Sequence, residues 1–367
     1  MENLKIYEIL KYVNGALISG DPNIDISSIS ISSKDIAKND LFIPICGEKA
    51  DGHDFISDAL NNGAVCVLTQ KPCDLAEGKA YIKVSDTKKA LQDLAYHYRR
   101  RFNIPFIGVT GSVGKSSTKE MIAAALSINK CVLKTKGNQN SQIGLPLTMF
   151  RIENKHDIAV IEMGISEFSE MDRLSKIACV DRAVITNIGI SHIENLKTKE
   201  NIRNEKLKII LNNSKSSNKK LFLNGDDPLL SELKSNDKLL SNENIQIIYF
   251  GLGKNCDYKA ENIKTANNKT IFTLVQKNLN VNIEIPAIGM HNVYNALSAI
   301  AVGMDLGIDI NLIKEGLLTY KNLSMRQEIH NLKDITIIDD SYNASPDSIK
   351  SGINVLKEIV KSEAKRS

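Results

Sequence analysis

The sequence predicts an α/β protein: a small N-terminal α/β domain, a central domain built on a parallel sheet, and the opening elements of a third domain. Three observations carry this. From residue 106 onward, β-branched apolar runs alternate with helical patterns, the signature of a parallel sheet with crossover helices. The passage FIGVTGSVGKSSTKEMIAAAL, residues 106–126, has the strand–glycine turn–helix layout of a phosphate-binding loop. Pro105 separates both features from a shorter α/β unit upstream.

Residues 1–85 read as the first domain. A helix near 4–13 precedes strand-like ISSISIS and DLFIPI, then a helix ending at Gly63 and a buried strand. A helix at 87–101 opens the central domain, taken as 86–325. Its strands are FIGVT, DIAVIEM (157–163), RAVITNI (182–188) and KLFLNGDD; its helices lie at 116–127, 167–177 and about 199–211. Residues 257–285 read as hairpins, followed by helices at 291–306 and about 310–320. Residues 326–367 supply a strand at 334–339 and a helix with Ile349, Ile353, Leu356 and Val360 on one stripe. One β-α unit cannot bury its own apolar faces. The segment therefore reads as the start of a domain whose remainder is missing. Its strand edges would invite pairing between chains, and weak activity is the expectation for this chain alone.

Composition narrows the function classes. The 367 residues carry 47 basic and 43 acidic side chains without a long basic block, which gives no reason to expect nucleic acid. The runs YHYRRRF (96–102) and KSEAKRS (361–367) read as solvated helix faces. No apolar run reaches the ~18 residues of a membrane span, and the N-terminus has no signal-peptide core. Six scattered cysteines without a C-x-x-C pair suggest buried free thiols in a reducing cytoplasm and no cysteine metal site.

The glycine loop is the strongest chemical signal. It runs Thr110, Gly111, Ser112, Val113, Gly114, Lys115, Ser116, Ser117, two residues shorter than the common G-x-x-x-x-G-K-[ST] form. Glycines admit phosphate oxygens to the backbone, Lys115 meets their charge, and Ser116 can ligate magnesium. Glu162 ends an apolar strand, where a parallel sheet faces its ligand crevice. It is either a turn former or a metal ligand. Asn187 and His192 follow the next strand, His192 being structural or metal-proximal. By spacing alone Lys206, among charged neighbours in NIRNEKLKII, reads as solvated. The amide-rich loop 134–150, with Asn138 and Asn140, suits a polar substrate. Arg326 and the tandem Asp339–Asp340 could bind nucleotide across a domain junction.

The order of TGSVGKSS (110–117), EMG (162–164), NIGISH (187–192), NGDDP (224–228), HNVYNA (291–296), Arg326 and DDSYNASPD (339–347) resembles the Mur ligase family. These are ATP-dependent amide-forming enzymes of bacterial cell-wall (peptidoglycan) synthesis. KGNQNSQIGLPLT and DDSYNASPDS resemble the branch that joins D-alanyl-D-alanine to a UDP-N-acetylmuramoyl-tripeptide through an acyl phosphate. The resemblance implies a UDP-sugar-binding first domain, a central ATPase domain and a Rossmann-like third domain. It implies Lys115, Glu162, His192 and Lys206 as the catalytic set. Magnesium would be held by Ser116, Glu162, His192 and a carbamylated Lys206. His291, Asn292 and Asn295 fall on the adenine side, Arg326 and Asp340 on ATP, and Ser33, Asn138 and Asn140 near the sugar-peptide substrate. A full-length member is expected to be a cytoplasmic monomer.

Two positions depart from the family pattern. Ser32-Ser33-Lys34 stands where D-S-R is usual, removing a guanidinium fork. Lys208 stands where a glutamate is common. An ATP-binding scaffold without turnover and a folate-type sister ligase are the alternative readings.

Overall fold

The computed structural model describes residues 1–212, 218–233, 240, 244–332 and 335–364. Asp334, with which the expected last strand begins, and residues 365–367 of the C-terminal basic run lie outside them. The chain divides into two units: Met1–Ile104 with Thr135–His156 and Lys176–Ala178, and Pro105–Lys134 with Asp157–Ser175 and Cys179–Ser367.

In the first unit five strands run in the order Ala16–Ser19, Ala80–Lys83, Ala64–Thr69, Asp40–Phe42, Ser28–Ser30. All neighbours are parallel except the first pair. The helix Thr87–Arg99 starts where the Asp86 side chain accepts from Lys89 N, an ordinary N-cap. It belongs to this unit, whose first segment runs to Ile104. The segment 135–156 also belongs here; the buried Tyr98 hydroxyl ties the helix to it by donating to Ile152 O at 2.7 Å. Sequence contiguity hides such a return of the chain.

The second unit carries a nine-stranded sheet. From Val132–Lys134 through Ile158–Glu162, Phe106–Thr110, Arg182–Ile185, Lys219–Asn224, Ile245–Gly251 and Tyr258–Ala266 every neighbour is parallel. Lys269–Gln276 and Leu279–Ile285 then extend it as the expected antiparallel hairpins. The central strands are apolar throughout, as a sheet covered on both faces requires, and helices Lys115–Leu126 and Met290–Asp305 pack on it through Met121, Ile122, Val293 and Leu297. After Phe106–Thr110 the chain fills one side of that strand with Val132–Lys134 and Ile158–Glu162, then crosses to Arg182–Ile185 on the other. Strand order reverses there, making the carboxyl end of Phe106–Thr110 a topological switch point, the usual ligand crevice of such sheets.

The last residues differ from expectation in two ways. Ile335–Asp339 pairs antiparallel with Glu328–Leu332, a strand hidden in the half-polar run EIHNL. The expected bare strand thus has one edge paired. In helix Pro346–Ala364 it is Val355 and Ile359 that pack, against Ile288, Ile329 and Ile338. Ile349, Ile353 and Leu356 face outward at 52%, 48% and 47% exposure, and the side chain of Val360 is outside the described set. Of the cysteines, Cys66 and Cys179 are buried as expected, while Cys46 and Cys131 are exposed; all six are free thiols. No helix among the described residues is long and apolar enough to cross a membrane.

Candidate active site

The short loop is shaped by its neighbours as much as by its glycines. Gly111 has φ +151°, and a β-carbon there would fall 1.9 Å from Thr186 Oγ1. Gly114, at φ +84°, turns the chain into helix Lys115–Leu126, a left-handed conformation that glycine adopts freely. Asn187 grips the turn: its carbonyl accepts from Ser112 N at 3.1 Å, and its side chain accepts from Val113 N and donates to Val113 O, both at 3.0 Å. Thr186 Oγ1 donates to the same carbonyl, and Gly189 N donates to Ser112 Oγ at 2.8 Å. Asp227 holds the far side by accepting from Ile188 N at 2.7 Å. Replacing Gly111 with alanine drives a methyl into Thr186. We expect a loss on the order of 2 kcal/mol in urea unfolding and loss of nucleotide binding by calorimetry.

The cations gather at this turn. Lys115 Nζ donates to Gly111 O at 3.0 Å and Ser112 O at 3.2 Å, and Lys206 Nζ donates to Gly111 O at 3.0 Å. Lys206 is 2% exposed, which overturns its spacing-based reading as a solvated lysine. Burial, then the neighbouring Lys115 charge, holds its amine well below the usual lysine range. Burial also lowers Lys115, opposed by the Glu162 carboxylate and aided by Arg326. Glu162 is 2% exposed at the end of its strand, register partner of Val109. His192, exposed and with φ 62°, is lowered by partial desolvation of its ring and by Lys206 and Lys115, against Glu170. Lys115, Glu162, His192 and Lys206 therefore share one electrostatic neighbourhood.

The donor set suits a hard cation. Ser116, buried in the first turn after the loop, and Glu162, buried at the carboxyl end of its strand, both carry oxygen, and Thr110 Oγ1 is buried at the end of the neighbouring strand without a hydrogen-bond partner among the described residues. Oxygen ligands are what magnesium takes. Ser117 lies in the same first helical turn.

The asparagines expected on the adenine side are hydrogen-bonded to each other and to Thr118. Thr118 Oγ1 donates to Asn295 Oδ1 at 2.8 Å, Asn295 Nδ2 to Asn292 Oδ1 at 3.1 Å, and Asn292 Nδ2 to Ile288 O at 2.8 Å. This buried relay joins the phosphate-loop helix to the helix Met290–Asp305. His291 Nδ1 meets Ser351 Oγ at 2.9 Å, and burial pushes the imidazole down to about 4. The unfolded chain takes up that proton near 6.5, the folded one only near 4, so stability falls as pH drops through this window. His291→Asn should flatten that fall by about 2 kcal/mol, less than the full shift because pH 4.5 stops short of the folded value; urea unfolding at pH 7 and pH 4.5 reads it. Arg326 stacks its guanidinium 4.0 Å over the Tyr342 ring. The Asp340 carboxylate lies beside Gly352.

Ser33, Asn138 and Asn140 belong to the first unit. Ser33 opens a short 3-10 turn, and its carbonyl accepts from Asn62 Nδ2 at 2.9 Å. Asn140 N donates to Asn138 O at 2.7 Å within a turn closed by Gly137 at φ +54°. Sequence reading missed Thr186 and Lys119, the first hidden in an apolar strand, the second one turn along the helix that follows the loop.

A phosphate loop at a sheet switch point, with a buried carboxylate ending the adjacent strand, defines a nucleotide-binding α/β enzyme. Residues 109–303 match the Mur ligase middle domain and residues 25–99 the Mur ligase family catalytic domain. The chain belongs to the Mur ligase family. It is 39% identical over 336 residues to the UDP-N-acetylmuramoyl-tripeptide–D-alanyl-D-alanine ligase of Bacillus subtilis, covering 91% of this chain and 71% of the relative. MurF from Acinetobacter baumannii superposes with TM-score 0.90 at 28% identity, covering 98% of this chain and 77% of that one. The MurF ligase of Thermotoga maritima, solved with ADP, gives TM-score 0.79 at 28% identity, covering 90% and 74%.

Proposed function

We propose that this chain is an ATP-dependent ligase that joins D-alanyl-D-alanine to UDP-N-acetylmuramoyl-tripeptide. The observation that carries the chemistry is the convergence of Lys115 and buried Lys206 on Gly111 O, beside Glu162. In the first step the substrate carboxylate attacks the γ-phosphate of ATP, forming an acyl phosphate and releasing ADP. Two anions approach, so catalysis is mostly charge screening and positioning. Lys115 leaves the loop carbonyls for the phosphate oxygens, while Thr186 and Asn187 keep the turn rigid. In the second step the dipeptide amine attacks the acyl carbon and phosphate departs.

Magnesium would be held by Ser116 and Glu162, and a second ion by His192 and carbamylated Lys206; bound, it neutralises developing phosphate charge. Lys206 suits carbamylation because its amine resists protonation. The nitrogen lone pair attacks carbon dioxide, one C=O pair moves to oxygen, and the nitrogen proton leaves to solvent. A neutral amine becomes an anion whose oxygens would serve as metal ligands. Ser33, Asn138 and Asn140 are assigned to the sugar-peptide substrate, with residues 1–85 as the UDP-sugar-binding domain, 86–325 as the ATP-binding ligase domain and 326–367 as part of a third.

The deciding assay supplies ATP, magnesium and UDP-N-acetylmuramoyl-tripeptide with and without D-alanyl-D-alanine. Phosphate release that depends on the dipeptide, with the ligated product seen by mass spectrometry, is expected. Turnover with a pterin acid instead would replace this reading with the folate-type one.

A further inference from the structure

We propose that Lys119 is the resident counter-cation of Glu162: it steadies the carboxylate before any divalent ion arrives and restrains the site from filling until phosphate accompanies the metal. The inference rests on the reading of Glu162 as a magnesium ligand.

Lys119 is 1% exposed, and a lysine so deeply buried is almost always there for a paired charge. It lies one helical turn past Lys115, so both leave the same flank of helix Lys115–Leu126. Its Nζ stands 3.0 Å from Glu120 Oε1 and 3.9 Å from Glu162 Oε2. Lys134 takes the other oxygen of Glu120, which leaves Lys119 strung between the two carboxylates.

The two lysines facing Glu162 differ in what they can do. Lys115 rests on loop carbonyls at 3.0 and 3.2 Å and is free to swing to an arriving phosphate. Lys119 is anchored by Glu120 in the packed interior and has no such route. A bare dication entering at Glu162 would meet an ammonium about one ion-pair distance away, at low effective dielectric. Phosphate oxygens arriving with the metal offset that repulsion. Lys119 thereby favours the metal–nucleotide complex over the metal alone, acting as a positioning residue that touches no reacting atom.

The test compares Lys119→Met, Glu162→Gln and the double variant in EDTA and in magnesium, by thermal unfolding and by calorimetric titration with magnesium alone and with ADP. In EDTA, Lys119→Met should lose roughly 4–8 °C of Tm, because a buried carboxylate loses one of its paired cations. Magnesium should restore most of it, with a midpoint on the order of tenfold lower than in the wild type. The double variant, with neither charge left, should recover the EDTA loss. A loss that is the same in EDTA, in magnesium and in the double variant would mean that Lys119 only fills space, and overturns the proposal. If Lys119→Met does not fold, the double variant decides: folding supports the pairing, and failure to fold overturns it. A wild-type magnesium response in Glu162→Gln would instead remove the metal reading, while the EDTA comparison still judges the pairing.

Discussion

Lys115→Met should lower turnover about a thousandfold while leaving the fold intact. The loop lysine is the mobile cation nearest the phosphate cradle, and loss of one preorganised donor to a developing oxyanion typically costs 10²–10³ in rate, roughly 3–4 kcal/mol. A full charge between two anions belongs at the upper end. Stability should not suffer, because Lys115 sits close enough to Lys206 and Arg326 to raise the electrostatic cost of both. Lys115→Arg should rescue little, since a longer planar fork does not reproduce the compact ammonium held 3.0 and 3.2 Å from the two loop carbonyls. Steady-state kinetics with a parallel melting curve reads both expectations; turnover within tenfold of wild type would remove Lys115 from the chemistry.

Lys206→Met should abolish turnover to a similar degree and yet make the protein more stable at neutral pH. The folded amine titrates well below the ordinary value of 10.5, so between that depressed value and 10.5 the unfolded chain holds a proton the folded chain lacks. Stability of the wild type therefore rises with pH across this window and is weakest below it. Methionine removes the slope. Urea unfolding at pH 7 and pH 10 in carbon-dioxide-free buffer should show a variant advantage at pH 7 that shrinks at pH 10. Activity of the wild type should fall in the same depleted buffer and return with bicarbonate. Labelled bicarbonate should give a carbamate resonance that Lys206→Met lacks.

What was readable in the sequence follows from how local each cause is. The loop and its helix announce themselves because glycine spacing, strand and helix start lie within one short stretch. Glu162 was readable because an apolar run ends on it. Lys206 was not: NIRNEKLKII is rich in charge, and only the approach of Gly111, 95 positions earlier, shows that this lysine is enclosed. The clamp by Thr186 is equally non-local. Strand Glu328–Leu332 escaped because half its residues are polar and its partner supplies the pattern. The return of residues 135–156 to the first unit is likewise a matter of packing between distant stretches, which no periodicity records.

The backbone at His192 is coiled in the sense that suits glycine or asparagine, φ 62°, and a histidine there is a standing tension of about 1 kcal/mol. Selection for ruggedness alone would relax it: His192→Gly should melt higher, even as it removes the imidazole beside Lys206 and Lys115. Heat-hardened descendants of this chain that keep histidine at 192 would have been screened for chemistry as well as endurance.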